Sequence, residues 1–204
     1  MPSKNVVKLY VSESYYHVYA RGARKQKIFI DAADYRYFIS LFSRYLSAGE
    51  KLSKTGEPYP NFNDHVVLYA YCLMSNHFHL MIYQKHEDGL PKLMRSLLTS
   101  YSRYFNKKYK RSGSLFETRY KASLIDNQAY LEHITRYIHL NPRRWQNYRY
   151  TSLKYYMGTL QPEWLNTKRI LSLFTDKDDY YSFLSEYVAT RDSLDEIKHQ
   201  LADA

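Results

Sequence analysis

The sequence predicts an α+β fold in which an antiparallel sheet carries helices on one face. The prediction rests on the order of periodic segments, since strand, helix, hairpin, helix, strand and helix follow one another between residues 15 and 141. A length of 204 residues with 45% hydrophobic and 25% charged residues suits one substantial globular domain. This order of segments is that of the ferredoxin-like, split βαβ arrangement.

The first strand and the first helix are predicted on either side of a basic loop. Residues 15–20, "YYHVYA", favour a strand, and "RGARKQKIF" after them contains four basic residues. Asp31 is a helix start signal, and apolar side chains recur after it at helical spacing as far as Leu46. Residues 49–64 contain two glycines and two prolines, which predicts a surface loop.

The clearest hairpin of the sequence lies between residues 65 and 84. Two β-prone runs, "HVVLYAYCLM" and "HFHLMIYQ", are separated only by Ser75 and Asn76, as in a tight antiparallel turn. From Leu90 to Tyr109 the apolar residues fall at helical spacing and the basic residues lie off that stripe. This pattern predicts a long amphipathic helix with a basic outer face.

The remainder of the chain contributes one strand, one helix and an extension. "TRYKASLID" favours a strand, and "NQAYLEHITRYIHLNP" predicts a helix that begins at Asn127 and stops before Pro142. Two weaker helical segments follow, around "TKRILSLF" and "DYYSFLSEYVA". We therefore divide the chain into a main domain, residues 1–150, and a small helical C-terminal extension, residues 151–204, whose role the sequence leaves open.

The charge of the chain favours a polyanionic partner. The formal net charge is +10, and residues 176–204 carry eight acids against three bases, so the basic field belongs to the main domain. Nucleic acid is the first candidate and an anionic membrane surface the second. Cys72 is the only cysteine, which fits a reducing cytoplasm, and the longest apolar run, from Val66 to Met74, is too short to span a bilayer. We expect a cytoplasmic, nucleoid-associated protein with no membrane partner.

Two histidines in the hairpin form a candidate metal site. On a strand, residues i and i+2 point the same way, so His77 and His79 share one face. Two adjacent imidazoles can hold one divalent ion, although a chain with eight histidines also produces such a pair by chance. A third ligand decides between a metal site and two core histidines. Two nitrogens, one oxygen and open positions suit Mg²⁺ or Mn²⁺ acting as a Lewis acid.

A second informative pair lies on the helix before Pro142. Tyr137 and Asn141 are four residues apart and therefore share one helix face. The pair is also compatible with a helix-ending asparagine and a tyrosine packed on the sheet. Combined with the histidine pair, it suggests that a cation bound by His77, His79 and Asn141 polarises a phosphate that the Tyr137 oxygen attacks.

Four motifs occur in the order and at the spacings of a known family: "HVYARG", "NHFHLMI", "SYSRYFNKKYKRSGSLFETRYK" and "YIHLNPRR". They resemble those of the REP-associated tyrosine transposases, relatives of the single-tyrosine insertion-sequence transposases in the HUH endonuclease superfamily. The likeness covers residues 15 to about 150. It implies a ferredoxin-like core, dependence on Mg²⁺ or Mn²⁺, and cleavage of single-stranded DNA near hairpins through a 5′-phosphotyrosine. It also implies Tyr137 as the nucleophile and His77, His79 and Asn141 as the metal ligands.

Basic residues interleaved with aromatic ones predict a DNA-facing surface. Between Lys92 and Lys121 there are nine bases and one acid, Glu117, together with tyrosines and phenylalanines that could stack unpaired bases. Two further basic clusters lie in the loop after the first strand and directly after the helix of Tyr137. The predicted DNA contacts are Arg21, Arg24, Lys25, Lys92, Arg95, Arg103, Lys107, Lys108, Lys110, Arg111, Arg119, Lys121, Arg143 and Arg144.

The function predicted from the sequence is that of a metal-dependent, transposase-like endonuclease and strand transferase. Its expected substrate is single-stranded DNA with hairpins, such as palindromic repeat elements, and its expected state is a monomer or homodimer. One alternative is a domesticated module that binds such hairpins without cutting them. Another is an RNA-binding protein whose sheet aromatics stack bases, although that function has no use for the histidine pair.

Overall fold

A four-stranded antiparallel sheet, with strand order β2-β3-β1-β4, lies at the centre of the computed structural model, which describes residues 10–189. The strands are β1 (Ser14–Arg21), β2 (Val66–Met74), β3 (His77–Gln84) and β4 (Lys121–Ile125). The α-helices are α1 (Ala32–Leu46), α2 (Gly89–Lys108), α3 (Gln128–Leu140), α4 (Leu153–Met157), α5 (Lys168–Leu171) and α6 (Lys177–Ala189). Each strand is antiparallel to its neighbours, and this order confirms the ferredoxin-like prediction.

The first helix begins where the sequence predicted. The Asp31 side chain accepts hydrogen bonds from the backbone N–H groups of Ala33 and Asp34, at 2.9 and 3.1 Å. The Asp34 side chain accepts in return from the backbone of Asp31, at 3.2 Å, which completes a capping box. Such a cap satisfies N–H groups that the first helical turn leaves without partners.

The hairpin between β2 and β3 turns at Ser75 and Asn76, as predicted, and the turn is bound to the loop after β1. The backbone oxygen of Ser75 accepts from the N–H groups of Ile28 and Phe29, and that of Asn76 accepts from Gly22. A side chain at Gly22 would collide with the Gln26 carbonyl oxygen, so the tight conformation of the loop after β1 requires glycine there. These contacts fix the start of β3, where His77 lies.

Helices cover both faces of the sheet, whereas the sequence predicted helices on one face. The prediction is correct for α1 and α2, which pack on the face formed by Val18, Phe78 and neighbouring apolar side chains. The opposite face, which includes Cys72 and Met81, is covered by α3 and the helices that follow it. The reason is that β2 is apolar on both sides, so one covered face would leave half of its apolar side chains in water.

Residues 151–189 pack against the main domain. Thr151 forms an isolated bridge with Cys72 of β2, and the Ser152 N–H donates to the Tyr71 oxygen at 2.9 Å. Tyr156, Tyr180 and other side chains of the extension belong to the core cluster that contains α3. The predicted helical character of the extension is confirmed as far as residue 189, while residues 190–204 lie outside the described part of the chain. The division at residue 150 stays a prediction.

Candidate active site

The predicted histidine pair and the predicted tyrosine–asparagine pair lie next to each other. His77 and His79 extend from one face of β3, and their ring centroids are 5.0 Å apart. Tyr137 and Asn141 come from α3 and its C-terminal cap, which lie over that face. The His77 Nε2 and Asn141 Oδ1 atoms are 3.2 Å apart, and the ring centroids of His79 and Tyr137 are 5.2 Å apart. The fold therefore brings together four side chains that are distant in sequence.

His77 lies between two amide oxygens. Its Nδ1 is 2.7 Å from Oδ1 of Asn76, whose Nδ2 donates to the Lys25 carbonyl oxygen at 3.4 Å, and its Nε2 faces Asn141 Oδ1. Burial lowers the pKa of His77 to about 4, although the hydrogen bond with Asn141 raises that pKa and the charge of Arg21 lowers it further. A neutral imidazole carries one N–H, so one of its two nitrogens directs a lone pair at an oxygen. A cation beside Nε2 and Oδ1 would satisfy both acceptors.

His79 contacts a third histidine that the sequence analysis did not select. The His17 Nε2 atom lies 2.9 Å from Nδ1 of His79, and the two rings stack with an interplanar angle of 11°. His17 is on β1, whose pairing with β3 places it one step diagonally from His79. Burial lowers the pKa of His17 to about 3 and holds the pKa of His79 well below its usual range. Both imidazoles are therefore neutral near pH 7.

The signal for His17 was present in the sequence. It alternates with apolar residues inside "YYHVYA", so a strand prediction already places it on the same face as Tyr15 and Tyr19. What the sequence could not provide was the register between β1 and β3. That register decides which residue of the second strand contacts the His17 ring.

Tyr137 is enclosed between α3 and the sheet, with 7% of its surface exposed. Its ring meets those of His79 and His17 edge-on, with centroids 5.2 and 5.8 Å away. Burial raises the pKa of Tyr137 to about 12, while a hydrogen bond with Asn141 and the charge of Arg21 act in the opposite direction. The phenol is therefore protonated near pH 7, and it needs nearby positive charge to become an oxygen nucleophile.

The donor atoms fit a divalent cation of the Mg²⁺ or Mn²⁺ kind. They are the imidazole nitrogens of His77 and His79 and the amide oxygen of Asn141, all neutral donors compatible with such ions. In the part of the chain that the structure describes, no three His, Cys, Asp or Glu side chains form a cluster that could hold a metal. A site here thus depends on the Asn141 oxygen, and the identity of its cation stays a prediction.

Most of the predicted DNA-contacting side chains are exposed. Arg21 lies opposite His77 in the strand register, and Arg24 and Lys25 form a 3₁₀ turn (Ala23–Lys25) immediately after β1. Arg143 and Arg144 are exposed just beyond α3. The side chains that are exposed on or near α2 are Lys92, Arg95, Arg103, Lys107, Lys108, Lys110, Arg111 and Arg119, whereas Lys121 is partly buried.

Several of these bases already have partners within the protein. Lys92 forms an ion pair with Asp88 one turn earlier in the chain. The Lys108 ammonium donates to Asp31 at 2.8 Å and to the buried Asp34 at 2.6 Å. These hydrogen bonds join the end of α2 to the start of α1, so Lys108 has a structural role that the sequence prediction did not foresee.

Two more of the predicted DNA-contacting bases interact with an amide group or an aromatic ring of the protein. Arg111 donates to the Gln26 side-chain oxygen at 3.2 Å, and the Lys121 ammonium lies 5.7 Å from the centre of the Tyr19 ring. The interaction with Tyr19 places Lys121 on the same side of β4 as the histidine face of the sheet. Both bases therefore lie close to the end of β1 that also carries Arg21.

Two tyrosines of α2, Tyr101 and Tyr104, belong to the packing of that helix. Tyr101 is fully buried and donates to the Ile28 carbonyl oxygen at 2.5 Å. Tyr104 stacks on Tyr37, with ring centroids 3.9 Å apart. Tyr101 lies in the core cluster on the face of the sheet opposite to His79, and Tyr104 packs against that cluster.

Comparisons with known proteins give matches in sequence and in fold. The model of the IS200-like transposase family matches residues 59–141, a segment that includes both candidate pairs. No curated protein matches the chain. Among solved structures, the chain is similar to a REP-associated tyrosine transposase bound to a REP hairpin, with a TM-score of 0.56, 12% sequence identity, and coverage of 78% of this chain and 88% of that chain. The resemblance that the four motifs indicated is therefore confirmed: the chain is similar to IS200-like transposases over residues 59–141, and it has the fold of a REP-associated tyrosine transposase.

Proposed function

We propose that the protein is a metal-dependent, single-tyrosine DNA endonuclease and strand transferase that acts on single-stranded DNA containing hairpins. The observation that carries the proposal is the convergence of Tyr137 and Asn141 on the face of β3 that holds His77 and His79. The hairpin substrate is proposed from the solved relative, which is bound to a REP hairpin. The basic surface and the net charge of +10 support a nucleic-acid partner.

The proposed reaction is a displacement at phosphorus. The Tyr137 oxygen loses its proton to solvent and forms a bond to the scissile phosphorus, while the bond from phosphorus to the 3′ oxygen breaks. The departing 3′ oxygen takes up a proton from water, which yields a free 3′-OH and a 5′-phosphotyrosine. Because one phosphodiester replaces another, a 3′-OH of a second strand can reverse the step and join the DNA.

The residues of the candidate site have separate roles in the proposed reaction. Asn141 and the two imidazoles would hold the cation, which when bound supplies positive charge to the phenol oxygen and the phosphate oxygens. Arg21, exposed opposite His77, is positioned to bind the phosphate backbone near the cleaved bond. The edge-on contacts of the Tyr137 ring with two imidazoles restrict the direction in which its oxygen points.

One observation favours a second candidate function, a hairpin-binding module that does not cut. Tyr137 is 7% exposed, so its oxygen reaches a phosphate only if DNA enters the narrow space beside α3. A binding module would retain the basic surface and have no need of that access. The two functions make opposite predictions about covalent attachment of DNA to Tyr137.

The test is mass spectrometry after incubation of the protein with Mn²⁺ and a panel of labelled hairpin strands. The nuclease predicts a nucleotide mass on the peptide that contains Tyr137, and its loss in Tyr137→Phe with DNA affinity retained within about twofold. Tyr130→Phe, which alters another tyrosine of the same helix, is the matched control and should keep the adduct. Tight binding by the wild type without an adduct on any strand would instead support the binding module.

A further inference from the structure

Asparagine side chains lie at both ring nitrogens of His77, one of the proposed metal ligands. The His77 Nδ1 atom is 2.7 Å from the Asn76 side-chain oxygen, and its Nε2 atom is 3.2 Å from the Asn141 side-chain oxygen. A neutral imidazole carries a single N–H, so it can donate to only one of these oxygens. The two arrangements differ in consequence, because only the nitrogen without the proton can bind a cation.

The orientation of the Asn76 amide decides between the two arrangements. Its Nδ2 atom donates to the Lys25 carbonyl oxygen at 3.4 Å, and a carbonyl oxygen can only accept. The atom of the same amide that faces His77 is therefore Oδ1, which can only accept as well. The proton of this contact thus belongs to Nδ1 of His77, and Nε2 is left with a lone pair.

The Asn141 amide is oriented by its second contact, which is with Tyr137. Burial raises the pKa of Tyr137 to about 12, whereas the hydrogen bond with Asn141 lowers that pKa, as a donated N–H does. Asn141 therefore donates to the phenol through Nδ2 and directs Oδ1 at His77. Lone pairs of Nε2 and Oδ1 face each other across 3.2 Å, an arrangement that a cation between them stabilises.

The carbonyl group that orients Asn76 lies in a turn with an unusual backbone. Arg24 and Lys25 have φ angles of 54° and 60°, in the left-handed region that residues other than glycine rarely adopt. The Lys25 N–H donates to the Gly22 carbonyl oxygen at 2.9 Å and to the Glu117 carboxylate at 3.3 Å. These bonds hold the turn in the conformation that directs the Lys25 oxygen at Asn76. Glu117, an acid within a basic segment of the sequence, thus has a structural role.

We infer that Asn76 is a positioning residue whose side-chain oxygen fixes His77 as the Nδ1–H tautomer and so keeps the Nε2 lone pair available to the cation. The inference rests on the proposed function and gives Asn76 no contact with the reacting atoms. Without the Asn76 oxygen, the favourable position for the proton is Nε2, from which it is donated to Asn141. That hydrogen bond would occupy two of the proposed donor atoms and exclude the cation.

The test combines nitrogen-15 NMR of histidine-labelled protein, free of metal and DNA, with a calorimetric titration of Mn²⁺. The variant is Asn76→Leu, which keeps the shape of the side chain and removes the amide. The turn should still form, because the backbone oxygens of Ser75 and Asn76 accept the hydrogen bonds from Gly22, Ile28 and Phe29. Ser75→Leu is the matched control, since this neighbouring side chain is exposed and forms no hydrogen bond within residues 10–189.

The wild type is expected to contain His77 as the Nδ1–H tautomer, and Asn76→Leu should shift the proton to Nε2. The Mn²⁺ affinity of this variant should fall about 10- to 100-fold, as when the partner of a metal-binding histidine is removed. The control should keep both the tautomer and the affinity. An Nε2–H tautomer in the wild type overturns the inference, and so does an Asn76→Leu protein that behaves like the control.

Three further variants separate the tautomer from a general loss of structure. Asn76→Asp keeps an acceptor oxygen beside Nδ1, so it should keep the Nδ1–H tautomer, and an Nε2–H tautomer there overturns the inference. Glu117→Ala removes an acceptor of the Lys25 N–H and should weaken Mn²⁺ binding less than Asn76→Leu does. Glu117→Gln keeps an acceptor and should bind Mn²⁺ like the wild type. Equal affinities of the two Glu117 variants overturn the role of the turn.

These outcomes can be distinguished from those of the Tyr137 test. A DNA adduct in the wild type, combined with unchanged Mn²⁺ affinity in Asn76→Leu, leaves the nuclease intact and overturns the role of Asn76. The expected tautomers and the expected loss of Mn²⁺ affinity, without any adduct in the wild type, leave the role of Asn76 intact and overturn the nuclease.

Discussion

The Nε2 atom of His17 lies 2.9 Å from the Nδ1 atom of His79, deep between β1, β3 and α3. If Nδ1 of His79 carries the proton of this hydrogen bond, its Nε2 carries a lone pair. Histidines that bind metals usually have their second nitrogen held in this way. The other nitrogen of His17, Nδ1, is buried without a partner in the described residues. His17 therefore qualifies as a positioning residue for His79.

The first prediction concerns this positioning. His17→Phe removes the acceptor and keeps the ring volume, so Mn²⁺ affinity measured by calorimetry should fall about 10- to 100-fold. His86→Ala, which removes an exposed imidazole outside the site, should leave the affinity unchanged. Nitrogen-15 spectra of metal-free protein should identify His79 as the Nδ1–H tautomer, and the opposite tautomer in the wild type contradicts the assignment.

The second prediction concerns the attachment of α6 to α3. His139 of α3 is fully buried, with Nδ1 2.7 Å from the Tyr180 hydroxyl and Nε2 2.7 Å from the Ser152 hydroxyl. Tyr180→Phe leaves one His139 nitrogen without a partner, which should lower the free energy of unfolding in urea by about 1–3 kcal/mol. Tyr181→Phe, next to it on the exposed side of α6, should change the unfolding free energy little. Equal effects of the two changes contradict the prediction.

A further prediction concerns Arg136 of α3, which also contacts α6, and it uses the same urea unfolding assay. Arg136 lies against the rings of Phe183 and Tyr187, at 4.2 and 3.5 Å from their centres, and donates to His133 Nδ1 at 2.6 Å. Arg136→Met keeps the volume of the stem and removes the charge, so a loss of stability measures the cation–π contribution of roughly 0.5–2 kcal/mol. Arg144→Met, an exposed change beyond α3, is the control.

The third prediction concerns acid stability. Burial lowers the pKa of His139 to about 3 in the folded protein, whereas an unfolded chain has a histidine pKa near 6.5. Between pH 6.5 and pH 3 the unfolded state binds the extra proton, so stability decreases as the pH falls through that window. His139 alone contributes a slope of up to about 1.4 kcal/mol per pH unit. Urea unfolding of His139→Gln should therefore depend less on pH than that of His86→Gln, and equal slopes contradict this account.

The fourth prediction separates two neighbouring lysines. Lys108 binds Asp31 and Asp34, whereas Lys107 is exposed and forms no hydrogen bond or ion pair within residues 10–189. Lys108→Ala should lower the melting temperature and leave DNA affinity almost unchanged, because its charge is already neutralised. Lys107→Ala should slightly lower the affinity for DNA and leave the melting temperature unchanged. If the two variants behave alike, the ion pair has no structural importance.

Sequence predicted the elements of this fold well, because their signals are local. The capping box at Asp31, the turn at Ser75 and Asn76, and the cap at Asn127 each act within a few residues, and all three lie where expected. The short helix α4 was missed because five residues give little periodicity. The second helical layer was not predicted, although β2 is apolar on both of its sides and therefore needs cover on both.

In the candidate site, too, the sequence predicted the local relationships between residues and not the long-range contacts. The pairs His77 with His79 and Tyr137 with Asn141 could be selected because strand and helix periods place each pair on one face. Their mutual contact follows only from the packing of α3 on the sheet. The roles of His17 and Lys108 depend on partners 62 and 74 or more residues away, a distance over which local patterns carry no information.

The asparagine oxygen that faces His77 comes from a residue 64 positions later in the chain. During synthesis the hairpin with both imidazoles emerges from the ribosome well before α3 exists, and α3 in turn awaits Tyr180 to complete its packing. A nascent polypeptide that ends before α3 thus has two of the three proposed ligands and no phenol beside them. If the protein cuts DNA as proposed, a translation product that ends before α3 lacks the nucleophile.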